Sequence, residues 1–240
     1  MNEGKIIERM ADLKLQDIKG KYDVIISLGS WCGPSLNLRR HNLRRFSFPL
    51  DWVVSNSLSD VNKLLKNGFD GFMDIKQMQR IDGVAAYLDD GDAVFADEGR
   101  KKQNAHFIQD STYNIISVHD FPIIEEQDWR QLYPAYKEKL NDRIRKFIEI
   151  LANSQSVLFI RWGAVSIPEA LELRSILAGM TPGKCNILFL DPIADIPSVK
   201  EIDWGIDGIC TTQVPSQSPN DDSMWDHVYD GLAITDYWKN

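Results

Sequence analysis

Tyr22-Asp23-Val24-Ile25-Ile26-Ser27-Leu28, followed at once by Gly29-Ser30-Trp31-Cys32-Gly33-Pro34, is the stretch on which the fold turns. An apolar, β-branched run of this length, closed by glycine, predicts a strand buried on both faces. Pro34 suits the first turn of a helix. Leu36 and Leu38 carry that helix through Arg39-Arg40-His41 to about Leu43. A buried strand feeding directly into a helix is the opening unit of an α/β layer.

The same alternation recurs downstream. Tyr113–Val118 predicts a second strand, ending in His119-Asp120-Phe121. Ser156–Ile160 is a third, closing on Arg161-Trp162-Gly163, and Asn186–Leu190 a fourth, ending in Asp191-Pro192. A weaker strand covers Gly208–Thr212. Ser57 with Asp60 starts a helix over about 58–67, its face formed by Leu58, Val61 and Leu65. Leu140, Ile144, Phe147, Ile148 and Leu151 fall at helical spacing. Ser166 with Glu169 caps a helix whose face is Leu173, Ile176, Leu177 and Met180. The last helix carries Trp225, Val228, Tyr229 and Leu232, and a short amphipathic one is expected around Ile6, Met10 and Leu13.

Two stretches do not fit the alternation. Pro49 reduces Phe46–Val54 to an edge strand or an irregular loop. Residues 69–111, rich in Asp and Gly, predict an irregular insertion or lid, with Asp89–Asp92 as a solvated turn. The expected fold is therefore an α/β layered domain spanning 1–240. It has a mostly parallel sheet with helices on both faces, interrupted by the insertion at about 69–111.

Composition bounds the function. Of 240 residues, 27 are Lys or Arg and 35 are Asp or Glu, a net charge of −8. An acidic chain is not expected to bind nucleic acid or an anionic membrane. No apolar run reaches the roughly 18 residues of a membrane span. The 43% hydrophobic content suffices for a core without disulfides or structural metal. Cys32, Cys185 and Cys210 are widely spaced, as in a cytoplasmic protein with reduced thiols. No Gly-x-Gly-x-x-Gly, Walker A, EF-hand or zinc pattern occurs, so neither cofactor nor metal is expected.

Ligands of open parallel sheets sit beyond the carboxyl ends of the strands. If the four strands are parallel, Cys32, His119, Arg161 and Asp191 converge at one edge. Cys32 would lie at a helix N-terminus, where free N–H groups and the positive end of the dipole lower a thiol pKa. The N–H groups near Gly33 could hold an oxyanion. His119 is the natural base. Asp120 would point to the opposite strand face, leaving Asp51 or Asp191 to orient the ring. Ser30, Gly33, Arg161 and Arg39 complete the expected substrate-binding set. Against this stands the plainer reading, in which Cys32 is a buried core thiol. Arg39, Arg40, Arg44 and Arg45 read first as a solvated helix face, and second as a site for carboxylate or phosphate. Arg161, ending an apolar strand, calls for a partner such as Asp51 or Asp191, or an anionic substrate.

Ile26-Ser-Leu-Gly-Ser-Trp-Cys32, Leu38-Arg-Arg40, Phe48-Pro-Leu-Asp-Trp52, Val118-His-Asp-Phe121 and Phe159-Ile-Arg161 together resemble an uncharacterised bacterial family labelled papain-like cysteine peptidases. The resemblance runs from about residue 22 to at least residue 161. It implies a thiol-nucleophile hydrolase acting on a peptide or acyl substrate, with Cys32 as nucleophile and His119 as base. The local papain signature around the cysteine is absent, since Trp31 precedes and Gly33 follows Cys32. The strand-first pattern is also similar to SGNH-type hydrolases and to capsule-polysaccharide acetyltransferases with a Gly-Asn-Cys-Gln motif. The alternatives are thus an acyltransferase using the same Cys–His pair on a glycan or other hydroxyl, and a non-enzymatic binding module.

Overall fold

The computed structural model describes residues 13–97, 101–217 and 219–238. The helix expected around Ile6 and Met10 lies outside the described residues.

The chain enters as β1 (Gly20–Tyr22) and β2 (Val24–Ser27), then turns into α1 (Gly33–Arg40). After a short β3 (Val53–Val54) comes α2 (Leu58–Lys66). Its N-cap Ser57 accepts from the Asp60 amide, satisfying one of the orphan N–H groups of the first turn. The chain continues as β4 (Met78–Ala86), the short pairs β5 (Leu88–Asp89) with β6 (Asp92–Ala93) and β7 (Phe95–Asp97) with β8 (Lys101–Lys102), then β9 (Asn104–Asp110) and β10 (Ile115–Ser117). The second half runs α3 (Tyr133–Asn153), β11 (Ser156–Trp162), α4 (Ile167–Met180), β12 (Lys184–Ile193), β13 (Lys200–Ile202), β14 (Ile209–Pro215), α5 (Asp222–Tyr229) and β15 (Leu232–Ile234).

The central sheet has the order β13-β14-β12-β11-β2. β2, β11, β12 and β14 are parallel, and β13 joins the edge antiparallel. Alternate residues leave its two faces. Val24, Ile26, Val157, Phe159, Ile187 and Phe189 enter one apolar cluster with residues of α2, α3 and α4. Ile25, Leu158, Ile160, Leu188 and Leu190 enter a second with residues of α1 and α5. Burial on both faces explains why these strands are continuously apolar. Ile148, expected on the buried face of α3, is 44% exposed; Ile150 takes its place in the core.

Two expectations are corrected. The architecture is mixed rather than one mostly parallel sheet, because a second, antiparallel sheet of order β3-β10-β9-β4 contains the strand before His119. Residues 69–111 supply β4 and β9 to this sheet, so they are not an irregular insertion. β4 is an edge strand whose central residues are largely exposed, so it has no apolar alternation to betray it. It bulges between Ile81 and Val84, where Gly83 has φ 130°. A Cβ there would stand 2.4 Å from the Phe107 ring. The Asp89–Asp92 turn is a hairpin with positive φ at both Asp90 and Gly91, the demand of a type I′ turn.

Candidate active site

β2 ends in an abrupt turn. Gly29 and Ser30 both have positive φ, 77° and 80°. A side chain at residue 29 would place its Cβ 2.9 Å from Ser55 Oγ and 3.1 Å from the Leu50 carbonyl. Ser30 carries a side chain in a conformation that costs about 1–3 kcal/mol and needs its surroundings to hold it. Ser55 does so: its Oγ accepts from the Ser30 amide at 3.0 Å, and its own amide donates to the Ser30 carbonyl at 3.0 Å. Arg161, 2% exposed, fixes Ser55 in turn. Its Nη1 donates to Ser55 Oγ at 2.7 Å and to the Leu28 carbonyl at 2.8 Å, and its Nη2 to the Ser55 carbonyl at 2.5 Å. Arg161 thus pairs with neither Asp51 nor Asp191. Among the described residues no carboxylate lies within ion-pair distance of it. Burial lowers its pKa to about 10, so it is charged at neutral pH.

This turn delivers Cys32 to the N-cap of α1, where its carbonyl accepts from the Leu36 amide at 3.0 Å. The first-turn N–H groups of a helix lack intrahelical partners, and Pro34 removes one of them. Gly33 is required by the neighbouring indole: a Cβ there would lie 2.1 Å from the Trp31 ring, which packs edge-on against Trp162. Cys32 is half-buried. Burial pushes its thiol up from the ordinary value and outweighs the opposing backbone hydrogen bond. The helix N-terminus therefore does not leave a resting thiolate, contrary to the lowered pKa expected from its place in the chain.

His119 arrives from the antiparallel sheet, just past β10, and not from the parallel sheet whose β2 leads to Cys32. Its Nδ1 is 2.6 Å from the Ala86 carbonyl at the end of β4. A carbonyl only accepts, so Nδ1 carries the proton and the neutral ring keeps its lone pair on Nε2. Burial lowers the pKa of His119, with the Ala86 bond and Asp120 opposing, so the ring is neutral at pH 7. Trp52 stands edge-on to it at 6.4 Å between centroids. Among the described residues no hydrogen bond joins Cys32 Sγ to His119.

The ring's orienting group is thus Ala86, in place of the expected Asp51 or Asp191. Asp51, 1% exposed, accepts from Ser35 Oγ at 2.8 Å, the Phe48 amide at 2.8 Å and Arg44 Nε at 3.3 Å, tying the 44–52 loop to α1. Burial raises its pKa against Arg44 and these donors. Asp191 lies on β12, its pKa raised by burial and its Oδ1 without a hydrogen bond among the described residues. Asp120 accepts from Ser117 at 2.7 Å and from Arg143 at 3.2 Å, with no hydrogen bond to His119 among the described residues. The four arginines do not share one solvated face. Arg39 pairs with Asp92 at 2.7 Å and Arg40 with Asp226 at 2.7 Å, whereas Arg44 and Arg45 are half-buried and turn to Asp51 and Asp236. The Arg39–Asp92 pair, with Gly91 against the Trp52 ring, seats the β5–β6 hairpin on α1.

Sequence reasoning missed Ser55, Ala86 and Trp52 as parts of this arrangement. Ala86 acts through its backbone and leaves no residue-type signal. Ser55 lies in a loop and is recognised only by the buried guanidinium that meets it. A groove of about 830 Å³ does not mark the site either. It lies at the amino ends of β12 and β14, beside Cys185 and Arg174, and neither Cys32 nor His119 lines it.

A family described as "Putative papain-like cysteine peptidase" matches residues 23–185, well over half of the chain and spanning Cys32, His119 and Arg161. The chain belongs to this family. Within the papain-like cysteine peptidase description, the match covers β2 through the start of β12, and so every element that builds the turn at Cys32 and the perch of His119. An uncharacterized protein of Acanthamoeba polyphaga mimivirus is 27% identical over 187 residues, covering 75% of this chain and 81% of its own length. This relative is viral, so it lends nothing to the bacterial part of the expected resemblance. No solved structure matches. Among the described residues no helix is long and apolar enough to cross a membrane.

Proposed function

We propose that the chain is a thiol-nucleophile hydrolase of the papain-like cysteine peptidase kind, with Cys32 as nucleophile and His119 as base. The observation that carries the reading is the Nδ1–Ala86 bond, which presents a neutral imidazole with its lone pair on Nε2. Family membership supports the same assignment.

With the thiol pKa raised and the imidazole pKa lowered, the resting pair is thiol and neutral base, not thiolate and imidazolium. Sγ attacks the substrate carbonyl carbon as its proton passes to Nε2, the two groups closing on bound substrate as such pairs do. The oxyanion is held by free N–H groups at the start of α1. Collapse breaks the bond to the leaving group, which takes the proton back from Nε2. Water, activated by the same nitrogen, then cleaves the thioester and frees Sγ.

The test is acyl transfer from p-nitrophenyl acetate, followed by peptide mass spectrometry. We expect a p-nitrophenol burst, an acetyl group on Cys32 and no burst in Cys32→Ala. His119→Gln should slow acylation by about 10²–10⁴-fold. Acetylation elsewhere, or at an unchanged rate in His119→Gln, overturns the reading.

A further inference from the structure

A second cluster of charge stands apart from the thiol. Lys139, Asp142, Arg143 and Lys146 lie at i, i+3, i+4 and i+7 on α3, on one face of the helix. With Arg45 and Asp90 they line a cavity of about 230 Å³ between α3, the 45–47 loop and the β5–β6 turn. Four cations and two carboxylates make its wall net positive, in a chain whose net charge is −8.

Neither carboxylate is committed to a cation of the wall. Asp142 pairs with Arg145 at 2.9 Å and Asp90 with Arg44 at 3.3 Å. Lys139 pairs with the exposed Asp89 at 2.8 Å, and Arg45 Nη2 donates to the Thr235 carbonyl and lies 3.8 Å from the exposed Asp236. Lys146 lies over the Phe46 ring at 4.8 Å, with no carboxylate partner among the described residues. The decisive residue is Arg143. It is 7% exposed and spends Nη1 on Asp120, while its Nε and Nη2 make no hydrogen bond among the described residues. Arg45 Nε is likewise buried without one. A buried guanidinium donor left unpaired is costly, and its fork geometry matches the oxygens of a phosphoryl or carboxylate group.

We propose that this cavity binds a compact oxyanion bearing a phosphoryl group, held by Arg143, Arg45, Lys139 and Lys146. Its volume falls below the roughly 300–1,000 Å³ of pockets that enclose drug-sized ligands, which favours inorganic phosphate or a small monoester over a nucleotide. The Trp52 indole, whose Nε1 donates to Ser47 on the cavity wall, separates it from His119. The site does not rest on the role proposed for Cys32.

The test is calorimetric titration of the full chain with inorganic phosphate and with glycerol 3-phosphate, ionic strength being held constant with sodium chloride. We expect saturable one-to-one binding of at least one anion. It should be weakened about tenfold or more by Lys146→Ala and by Arg143→Lys, and unaltered by Cys32→Ser. Lys146 is exposed, so its variant keeps the test open if the Arg143 variant does not fold. Binding of phosphate alone identifies the free anion as ligand, and binding of both identifies the phosphoryl group. Failure of both to bind above the chloride background overturns the proposal, as does wild-type affinity in the Lys146→Ala variant.

Discussion

Ser55→Ala is the substitution that probes most directly how the turn at Cys32 is held. Ser55 is 0% exposed, and its Oγ accepts from two buried donors, Arg161 Nη1 at 2.7 Å and the Ser30 amide at 3.0 Å. Removing the oxygen leaves both without that acceptor. A hydrogen bond to a charged group contributes about 1.5–3 kcal/mol, and an orphaned buried amide costs about 1–3 kcal/mol. The two losses sum to about 2.5–6 kcal/mol, and the middle of that range, about 3–5 kcal/mol, is expected. Arg161 keeps its bonds to the Leu28 and Ser55 carbonyls, which argues against a larger figure. The residue at 30 would also lose part of what keeps it at φ 80°, so the turn should relax and move Cys32. Urea unfolding followed by circular dichroism reads the first effect, and at about 2–4 °C per kcal/mol the melting temperature should fall by about 6–20 °C. The rate of Cys32 alkylation reads the second. A loss under 1 kcal/mol, with alkylation unchanged, would refute the claim that Arg161 and Ser55 hold the turn.

Three further outcomes are expected. Iodoacetamide alkylation of Cys32 should titrate above the ordinary thiol range, yet ahead of Cys185 and Cys210, whose pKa values burial pushes to about 11 and about 12; a midpoint below pH 7 would mean a preformed ion pair and contradict the general-base step. The pH profile of kcat/KM should show an acid limb below the ordinary histidine value of 6.5, because the His119 pKa is lowered; since protonation then favours the unfolded chain, this group's stability is complete above pH 6.5 and declines as pH falls toward the lowered value. An acid limb at or above 6.5 would show that another group controls the rate. Asp51→Asn turns an amide group toward at least one of the donors Ser35, Phe48 N and Arg44, and should cost about 2–4 kcal/mol in urea unfolding; a neutral result would remove Asp51 from the architecture of the 44–52 loop.

The strands β2, β11 and β12 were legible in the sequence, because a strand buried on both faces must be apolar at every position and a glycine or charge marks its end. Helices α2 and α4 were legible from their caps, Ser57 and Ser166, together with their apolar spacing. The strand–turn–helix at Gly29–Gly33 followed from the same local chemistry, and with it the position of Cys32 at a helix start. The antiparallel sheet was not legible, since β4 is an exposed edge strand and its partner β9 lies about 20 residues further on, so its pairing is a long-range choice. That pairing alone decides that Ala86 meets His119 and fixes which nitrogen bears the lone pair. Likewise only the tertiary structure could decide the partners of Arg161 and the unpaired donors of Arg143. A local sequence sets backbone propensity and apolar period, whereas the burial of a charge depends on which distant segments close around it.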